Sequence, residues 1–323
     1  MAVTSTTTAG RYLVTGGAGF IGSHLAHHLV AGGGAVRIVD NLSTGNLANL
    51  APLRDRVEFV EADLAEAGVA ERVVDGVDVV FHLAARGSVP RSLADAWGSH
   101  DANVNATVRL LEAARHGGVR RVVFSSSSSV YGDTPVLPKV ESVEPLPRSP
   151  YAASKISAEQ YVLGYARAGL VEGVALRYFN VFGPRQSPTG AYAAVIPLFM
   201  QAALAGTRAR LLGDGSQTRD FTYVDNVVDA NLRAATLPRE QVSGWAVNVG
   251  AGGRTSLRDL LRLVEEVSGR PIAVDEHPPR AGDVRDSLAG MERASQVLGY
   301  RPTVQLREGL ARTWAWFSQA SPS

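Results

Sequence analysis

Three glycines constrain this chain more than any other feature. Gly16, Gly19 and Gly22 directly follow the short apolar segment Arg11–Thr15 and open a stretch, residues 20–30, with helical periodicity. Strand, tight turn and helix in that order form a phosphate-holding corner: glycine permits the turn, lets a pyrophosphate approach the backbone and lets the helix pack close to the strand. The helix N-terminus adds unpaired N–H donors and the positive end of its dipole. The chain is therefore expected to be an α/β protein that binds a dinucleotide.

Further apolar runs at 36–39, 57–60, 77–83, 121–125 and 174–179 alternate with helix-length segments such as 104–116. Repeated βα units predict a Rossmann-like, doubly wound parallel sheet. Another run, Ala246–Val249, is expected to return to that sheet. After Asn180 the sequence turns to Gly183-Pro184-Arg185-Gln186-Ser187 and later Gly213-Asp214-Gly215-Ser216, loops too long for a compact βα unit. They predict a smaller C-terminal substrate-binding lobe. The expected division is a flexible tail at 1–10, a dinucleotide-binding domain at 11–180 plus about 225–250, and a lobe at 181–224 plus about 251–323. Leu257–Ser268 reads as an amphipathic helix, and Pro278 with Pro279 begins a loop that reaches Ser287.

The 32 Lys and Arg residues nearly balance 31 Asp and Glu, and no basic block tracks a nucleic-acid backbone, so nucleic acid is not an expected partner. Anionic ligands must then be held by single placed arginines. With no cysteine there are no disulfides, thiolate nucleophiles or Cys-ligated metals. No metal site is expected. The opening residues lack the basic start and apolar stretch of a signal peptide, and no run approaches the roughly 18 apolar residues of a membrane span. A cytoplasmic protein without a membrane partner is the expectation.

Asp40 ends the second expected strand, where a carboxylate grips the adenosine ribose hydroxyls and repels a 2′-phosphate. Asn41 and Leu42 follow rather than Arg or Lys, which favours NAD over NADP. Asp63, after the third strand, is either an adenine contact or a helix N-cap before Leu64. Tyr151 and Lys155 stand four apart behind Pro150, a residue suited to a helix start, and so share one helix face. A phenol titrates at about 10, so it needs neighbouring positive charge, from Lys155 and a nicotinamide, to serve as a base near neutrality. Five serines, residues 125–129, lie at the end of the fifth strand, where open α/β sheets assemble their sites. Ser127 is the first candidate to share the reacting proton with Tyr151, and Ser129 the second.

Taken together, Thr-Gly-Gly-Ala-Gly-Phe-Ile-Gly-Ser at 15–23, His82-Leu-Ala-Ala, Asn103-Val-Asn-Ala-Thr, the serine run, Tyr151 with Lys155, and Arg177-Tyr-Phe-Asn-Val-Phe-Gly resemble the extended short-chain dehydrogenases. Within them the chain is similar to the UDP-hexose and UDP-N-acetylglucosamine 4-epimerases, over nearly its whole length from Tyr12. That resemblance implies NAD contacts at Phe20, Ile21, Asn41, Asp63, Leu64, Leu83, Ala84 and Ala85, besides the three glycines, Asp40 and Lys155. It implies UDP-sugar contacts at Asn180 and Arg219 to the diphosphate, Arg280 to phosphate and Asp283 to the uridine ribose. Ser88, Ser128 and Gln186 are further implied contacts, and Ser287 borders the sugar pocket. It also implies a homodimer. Arg86, after His82-Leu-Ala-Ala, departs from the pattern and leaves room for an acidic sugar. The expected reaction inverts C4 of a UDP-hexose through a 4-keto sugar. The rival readings are a UDP-glucuronate 4-epimerase using Arg86 or Arg185, a nucleotide-sugar dehydratase, which would carry an acidic residue where Ser128 stands, and a non-catalytic NAD-binding sensor or scaffold.

Overall fold

The computed structural model describes residues 10–188, 194–278 and 284–320. Its first half alternates strands and helices: β1 Arg11–Thr15, α1 Phe20–Ala31, β2 Ala35–Asp40, β3 Val57–Glu61, α2 Val69–Val74 and β4 Val79–His82. Two short helices, α3 Val89–Ala94 and α4 Ala96–His100, lead into α5 Ala106–His116, β5 Arg121–Ser127, α6 Pro150–Arg167 and β6 Glu172–Tyr178. The later elements are β7 Val181–Phe182, α7 Val195–Ala205, β8 Ala209–Leu212, β9 Thr218–Arg219, β10 Thr222–Tyr223, α8 Val224–Thr236, α9 Arg239–Val242 and β11 Ala246–Val249. Then come β12 Thr255–Ser256, α10 Leu257–Ser268, β13 Val274–His277, α11 Glu292–Leu298 and α12 Leu306–Ala320.

Seven strands form one parallel sheet in the order β11-β6-β5-β4-β1-β2-β3, with β11 returning beside β6 as expected. Strand residues alternate between its faces. Val14, Ile38, Phe81, Val123 and Leu176 pack under α1 and α8, while Leu13, Val39, Val80, Val122 and Ala175 pack under α2, α5 and α6. Burial on both faces explains why the strands read as continuous apolar runs. A separate core gathers Phe182, Phe199, Met200, Leu211, Leu260 and Phe317 around α7, α10 and α12.

Three local features differ from expectation. The helix expected over 104–116 is preceded by a wide turn, Asp101–Asn105, with π-helical pairing, and α5 starts only at Ala106. No helix begins at Leu64: Asp63 instead closes a turn by accepting the Ala65 N–H at 2.8 Å, and α2 starts after Gly68, whose φ is 80°. The segment around α11, placed by its position in the second lobe, packs on the sheet through Ala294, Leu298 and Tyr300.

Candidate active site

From β1 the chain runs outward to β2 and β3, then crosses back to β4 on the other side of β1. The crevice of such a sheet opens at this reversal, beyond the C-terminal ends of β1 and β4. Gly16 turns there with φ 67°, and a Cβ on it would lie 2.8 Å from the Ala84 nitrogen. A Cβ on Gly22 would meet the Gly16 carbonyl at 2.3 Å, so α1 reaches this closeness to the turn only without side chains. α1 starts after Gly19 with no side-chain cap, leaving its first N–H groups for a ligand. Glycine cradle and uncapped helix end fit a dinucleotide diphosphate.

Asp40 lies at the same rim, its Oδ2 accepting from Ala18 N–H at 3.0 Å and its Oδ1 from Leu42 N–H at 2.8 Å. Burial pushes its carboxyl up, and the N–H groups of Leu42, Ala18 and Gly19 pull it back. Asn41 donates to Asp63 Oδ2 at 2.8 Å, so Asp40, Asn41 and Asp63 form one polar edge. The Leu64 side chain belongs to the sheet core. Leu83 and Ala84 are fixed by their backbones: both N–H groups donate to Thr15 Oγ1, at 3.1 and 3.0 Å. That hydroxyl contacts His82 Nδ1 at 2.8 Å, and His82 Nε2 contacts Thr107 Oγ1 at 2.9 Å. Thr107 spends its proton on the Asn103 carbonyl, so His82 donates through Nε2–H and accepts from Thr15. Burial, then the charge of Lys155, holds this imidazole neutral, with its pKa down to about 3.

Ser149 caps α6 by accepting the Ala152 N–H at 3.1 Å, and Pro150 occupies its first turn. Tyr151 and Lys155 follow on one face. Ser154, between them, receives a hydrogen bond from Asn103 at 2.8 Å, which ties α6 to the wide turn before α5. Tyr151 lines a cleft of about 370 Å³ together with Ser127, Ser128 and Ser129 from the end of β5, and Ser287. The Ser127 hydroxyl stands on the same cleft wall and acts on the phenol to lower its pKa. Burial nevertheless pushes the phenol above its usual value, the opposite of what the Lys155 neighbourhood suggested; desolvation outweighs the downward pull of Ser127. Lys155 is itself buried, its Nζ 4.7 Å from the Phe124 ring centroid, and desolvation lowers it to about 7 against the upward pull of Glu159. Ser129 donates its N–H to Ser127 Oγ at 3.2 Å, while its own hydroxyl is buried without a hydrogen-bond partner among the described residues.

A larger cavity of about 720 Å³ adjoins this cleft and shares Asn180, Val181 and Arg219 with it. Asn180 takes a left-handed φ of 28° and donates to the Asp220 carbonyl at 3.1 Å. Gln186 lines the cavity, its Nε2 held by the Val181 carbonyl and its buried Oε1 without a partner among the described residues. Asn180, Gln186 and Arg219 thus line one cavity. Arg280 and Asp283 lie outside the described residues. Ser88 does not turn to the cleft; its hydroxyl caps α3 by accepting the Arg91 N–H at 3.2 Å, and Val89 takes the lining position.

Both arginines suspected of reaching an acidic sugar point elsewhere. Arg86 pairs with Asp95, drawn in because Asp95 caps α4 beside it. Arg185, at φ 66°, donates to Asn49 O at 3.3 Å and His24 Nδ1 at 3.1 Å, against α1.

Two groups escaped the motifs. Glu159, fully buried on α6, takes Arg177 Nη2 at 2.6 Å, Arg177 Nε at 3.0 Å and Ser126 Oγ at 2.6 Å. It stands four residues after Lys155, and that spacing was its only signal in the sequence. Lys139, 2% exposed, also lines the cleft. Nothing in its loop context marks it.

Among the described residues no helix is long and apolar enough to cross a membrane. The model of the NAD dependent epimerase/dehydratase family matches residues 12–250. A UDP-glucose 4-epimerase of Mycolicibacterium smegmatis is 44% identical over 315 residues, 96% of this chain and 99% of that protein. Among solved structures, a UDP-N-acetylglucosamine 4-epimerase from Methanobrevibacter ruminantium, in complex with UDP-N-acetylmuramic acid, is 38% identical with a TM-score of 0.92, covering 98% of this chain and 100% of that one. A UDP-glucose 4-epimerase from Thermotoga maritima with UDP-glucose is also 38% identical, with a TM-score of 0.91, covering 96% and 99%. A glycine cradle fit for a dinucleotide, a tyrosine and serine lining one cleft at the sheet's C-terminal edge and these likenesses agree: the chain belongs to the NAD-dependent epimerase/dehydratase family, among its UDP-sugar 4-epimerases.

Proposed function

We propose that the chain interconverts the C4 epimers of UDP-hexoses, with UDP-N-acetylglucosamine and UDP-N-acetylgalactosamine as substrates and the plain UDP-glucose and UDP-galactose pair also accepted. The observation that carries it is a cleft that brings Tyr151 and Ser127 together, has a small residue, Ser287, in its wall and opens on the larger cavity holding Asn180, Gln186 and Arg219.

In this reading the Gly16–Gly22 turn and the first turn of α1 hold the dinucleotide diphosphate, Asp40 its adenosine ribose, and Asn41 with Asp63 the adenine side. Bound NAD supplies a hydride acceptor that also gives the hydride back. Tyr151 takes the proton of the C4 hydroxyl as the C4–H hydride leaves, which yields a 4-keto sugar, and Ser127 bonds the same oxygen. Positive charge from Lys155 and the nicotinamide would favour the phenolate against the burial that raises the phenol's pKa. Asn180 and Arg219 keep the UDP anchored while the ketose turns its other face, so remote binding energy retains a loosely held sugar. Return of hydride to C4 and of the proton from Tyr151 completes the inversion with no net oxidation. The two-lobe division, α11 excepted, and the homodimer implied by the resemblance are part of the same proposal.

Engagement of Arg86 by Asp95 and of Arg185 by His24 and Asn49 disfavours a uronate substrate. Ser128, where a dehydratase would carry an acid, disfavours elimination. Incubating purified protein with UDP-N-acetylglucosamine, UDP-glucose and UDP-glucuronate separately, followed by chromatography, tests the reading. Epimers from the first two, without accumulated NADH, are expected; a dehydrated product, or turnover of the uronate alone, refutes it.

A further inference from the structure

Lys139 is a buried ammonium in the wall of the catalytic cleft that no step above uses. Its backbone is fixed: the Lys139 N–H donates to Leu288 O at 2.8 Å, and its carbonyl accepts the Gly290 N–H at 2.7 Å, a parallel bridge with Ala289. That pairing sets it beside the strand-like segment that carries Ser287, and both residues line the cleft with Tyr151. One of its three donors goes to the Thr134 carbonyl. Asp133 and Asp286 exert a field on it, yet Lys139 makes no ion pair among the described residues, and burial lowers its proton affinity. An ammonium shielded from solvent with donors to spare, at the mouth of a polar cleft, is poised for an acceptor that arrives with the ligand.

We propose that Lys139 recognises the sugar's C2 substituent, donating to the carbonyl oxygen of an acetamido group in the space that Ser287 leaves open. The inference rests on the UDP-sugar reading and deepens it. Ser287 admits the group by being small, and Lys139 rewards its presence. The same ammonium repels a cationic C2 substituent, so UDP-glucosamine is a poor ligand for the native protein.

The test compares kcat/KM for UDP-N-acetylglucosamine, UDP-glucose and UDP-glucosamine in wild type and in Lys139→Met, which keeps length and removes charge and donors. The acetylated substrate should lose about 10- to 100-fold, the range of a lost hydrogen bond to a charged group. UDP-glucose should stay within about 2-fold, and UDP-glucosamine should gain relative to it. Equal losses on all three substrates would make Lys139 a brace for the Thr134 loop and overturn the proposal, as would unchanged ratios. If the methionine variant does not fold, Lys139→Gln decides by its charge alone: the neutral amide can still donate, so UDP-N-acetylglucosamine should lose less than about 10-fold while UDP-glucosamine gains relative to UDP-glucose, and no such gain overturns the proposal. Wild-type inactivity on every UDP-sugar would instead sink the epimerase reading itself.

Discussion

Removing the carboxylate of Glu159 while keeping its shape probes how the reacting helix is attached to the sheet. Glu159 is 0% exposed and Arg177 3%, and the guanidinium reaches both carboxylate oxygens, at 2.6 and 3.0 Å. Arg177 continues to the Tyr131 hydroxyl at 2.9 Å, and that hydroxyl donates to Asn248 at 2.7 Å, so the pair links α6, β6 and β11. In Glu159→Gln one oxygen becomes an NH₂ that cannot accept from arginine, and the buried cation loses its counter-charge. Breaking a buried pair this way costs about 3–5 kcal/mol, a third or more of the stability of many domains. Replacing both partners, as Glu159→Gln with Arg177→Met, removes the orphaned charge and should recover most of that loss. Urea unfolding followed by circular dichroism measures both. Glu159 also holds the Lys155 ammonium up against desolvation. Without it Lys155 sheds its proton at lower pH, and the alkaline fall of kcat should move toward acid. A single-variant cost below about 1 kcal/mol, or a double variant no more stable than the single, would refute this reasoning.

The difference between what the sequence disclosed and what it withheld follows from how far each feature reaches along the chain. The glycine turn, Asp40 at a strand end and Tyr151 four residues before Lys155 are local patterns with one geometric solution each, and the structure places them as spaced. Five identical letters carry no direction, and only the structure separates Ser126, which donates to Glu159, from Ser127 on the cleft wall with Tyr151. The wide turn at Asp101–Asn105 was invisible because its reason is tertiary: it sets Asn103 to donate to Ser154 and accept the Arg86 N–H. Lys139 carries no local signal, since its burial depends on pairing with Ala289, far along the chain. Arg86 and Arg185 misled for a related reason. A cation near a motif tells nothing of its partner, and Asp95, His24 and Asn49 claim these two.

Four further outcomes are expected. Tyr151→Phe should lower kcat by about 10²- to 10⁴-fold while dinucleotide binding, followed by fluorescence titration, is unchanged; near-native turnover would remove Tyr151 from the role of base. Asp40→Ala should weaken NAD and narrow its advantage over NADP in the same titration, and an unchanged ratio would make Asp40 purely structural. His82, neutral with a pKa near 3, is protonated only in the unfolded chain between pH 6.5 and 3, so its contribution is intact above pH 6.5 and is lost as pH falls. At pH 5 that amounts to about 2 kcal/mol, and His82→Gln should shrink the loss of stability between pH 7 and 5 by that amount; an equal loss in both proteins would show that His82 is not the group responsible. The last concerns which hexose enters. Ser287 is 8% exposed, its N–H is bound to the Thr218 carbonyl at 3.1 Å, and it shares the cleft wall with Tyr151. Its backbone is therefore fixed, and a larger side chain here must grow into the cleft rather than away from it. Crowding a packed site costs roughly 1–3 kcal/mol. Ser287→Tyr should then lower kcat/KM for UDP-N-acetylglucosamine by about 5- to 150-fold and leave UDP-glucose nearly untouched, because only the acetamido group needs that space. If the tyrosine variant keeps the wild-type ratio between the two sugars, the acetyl group lies elsewhere and Ser287 does not gate the site.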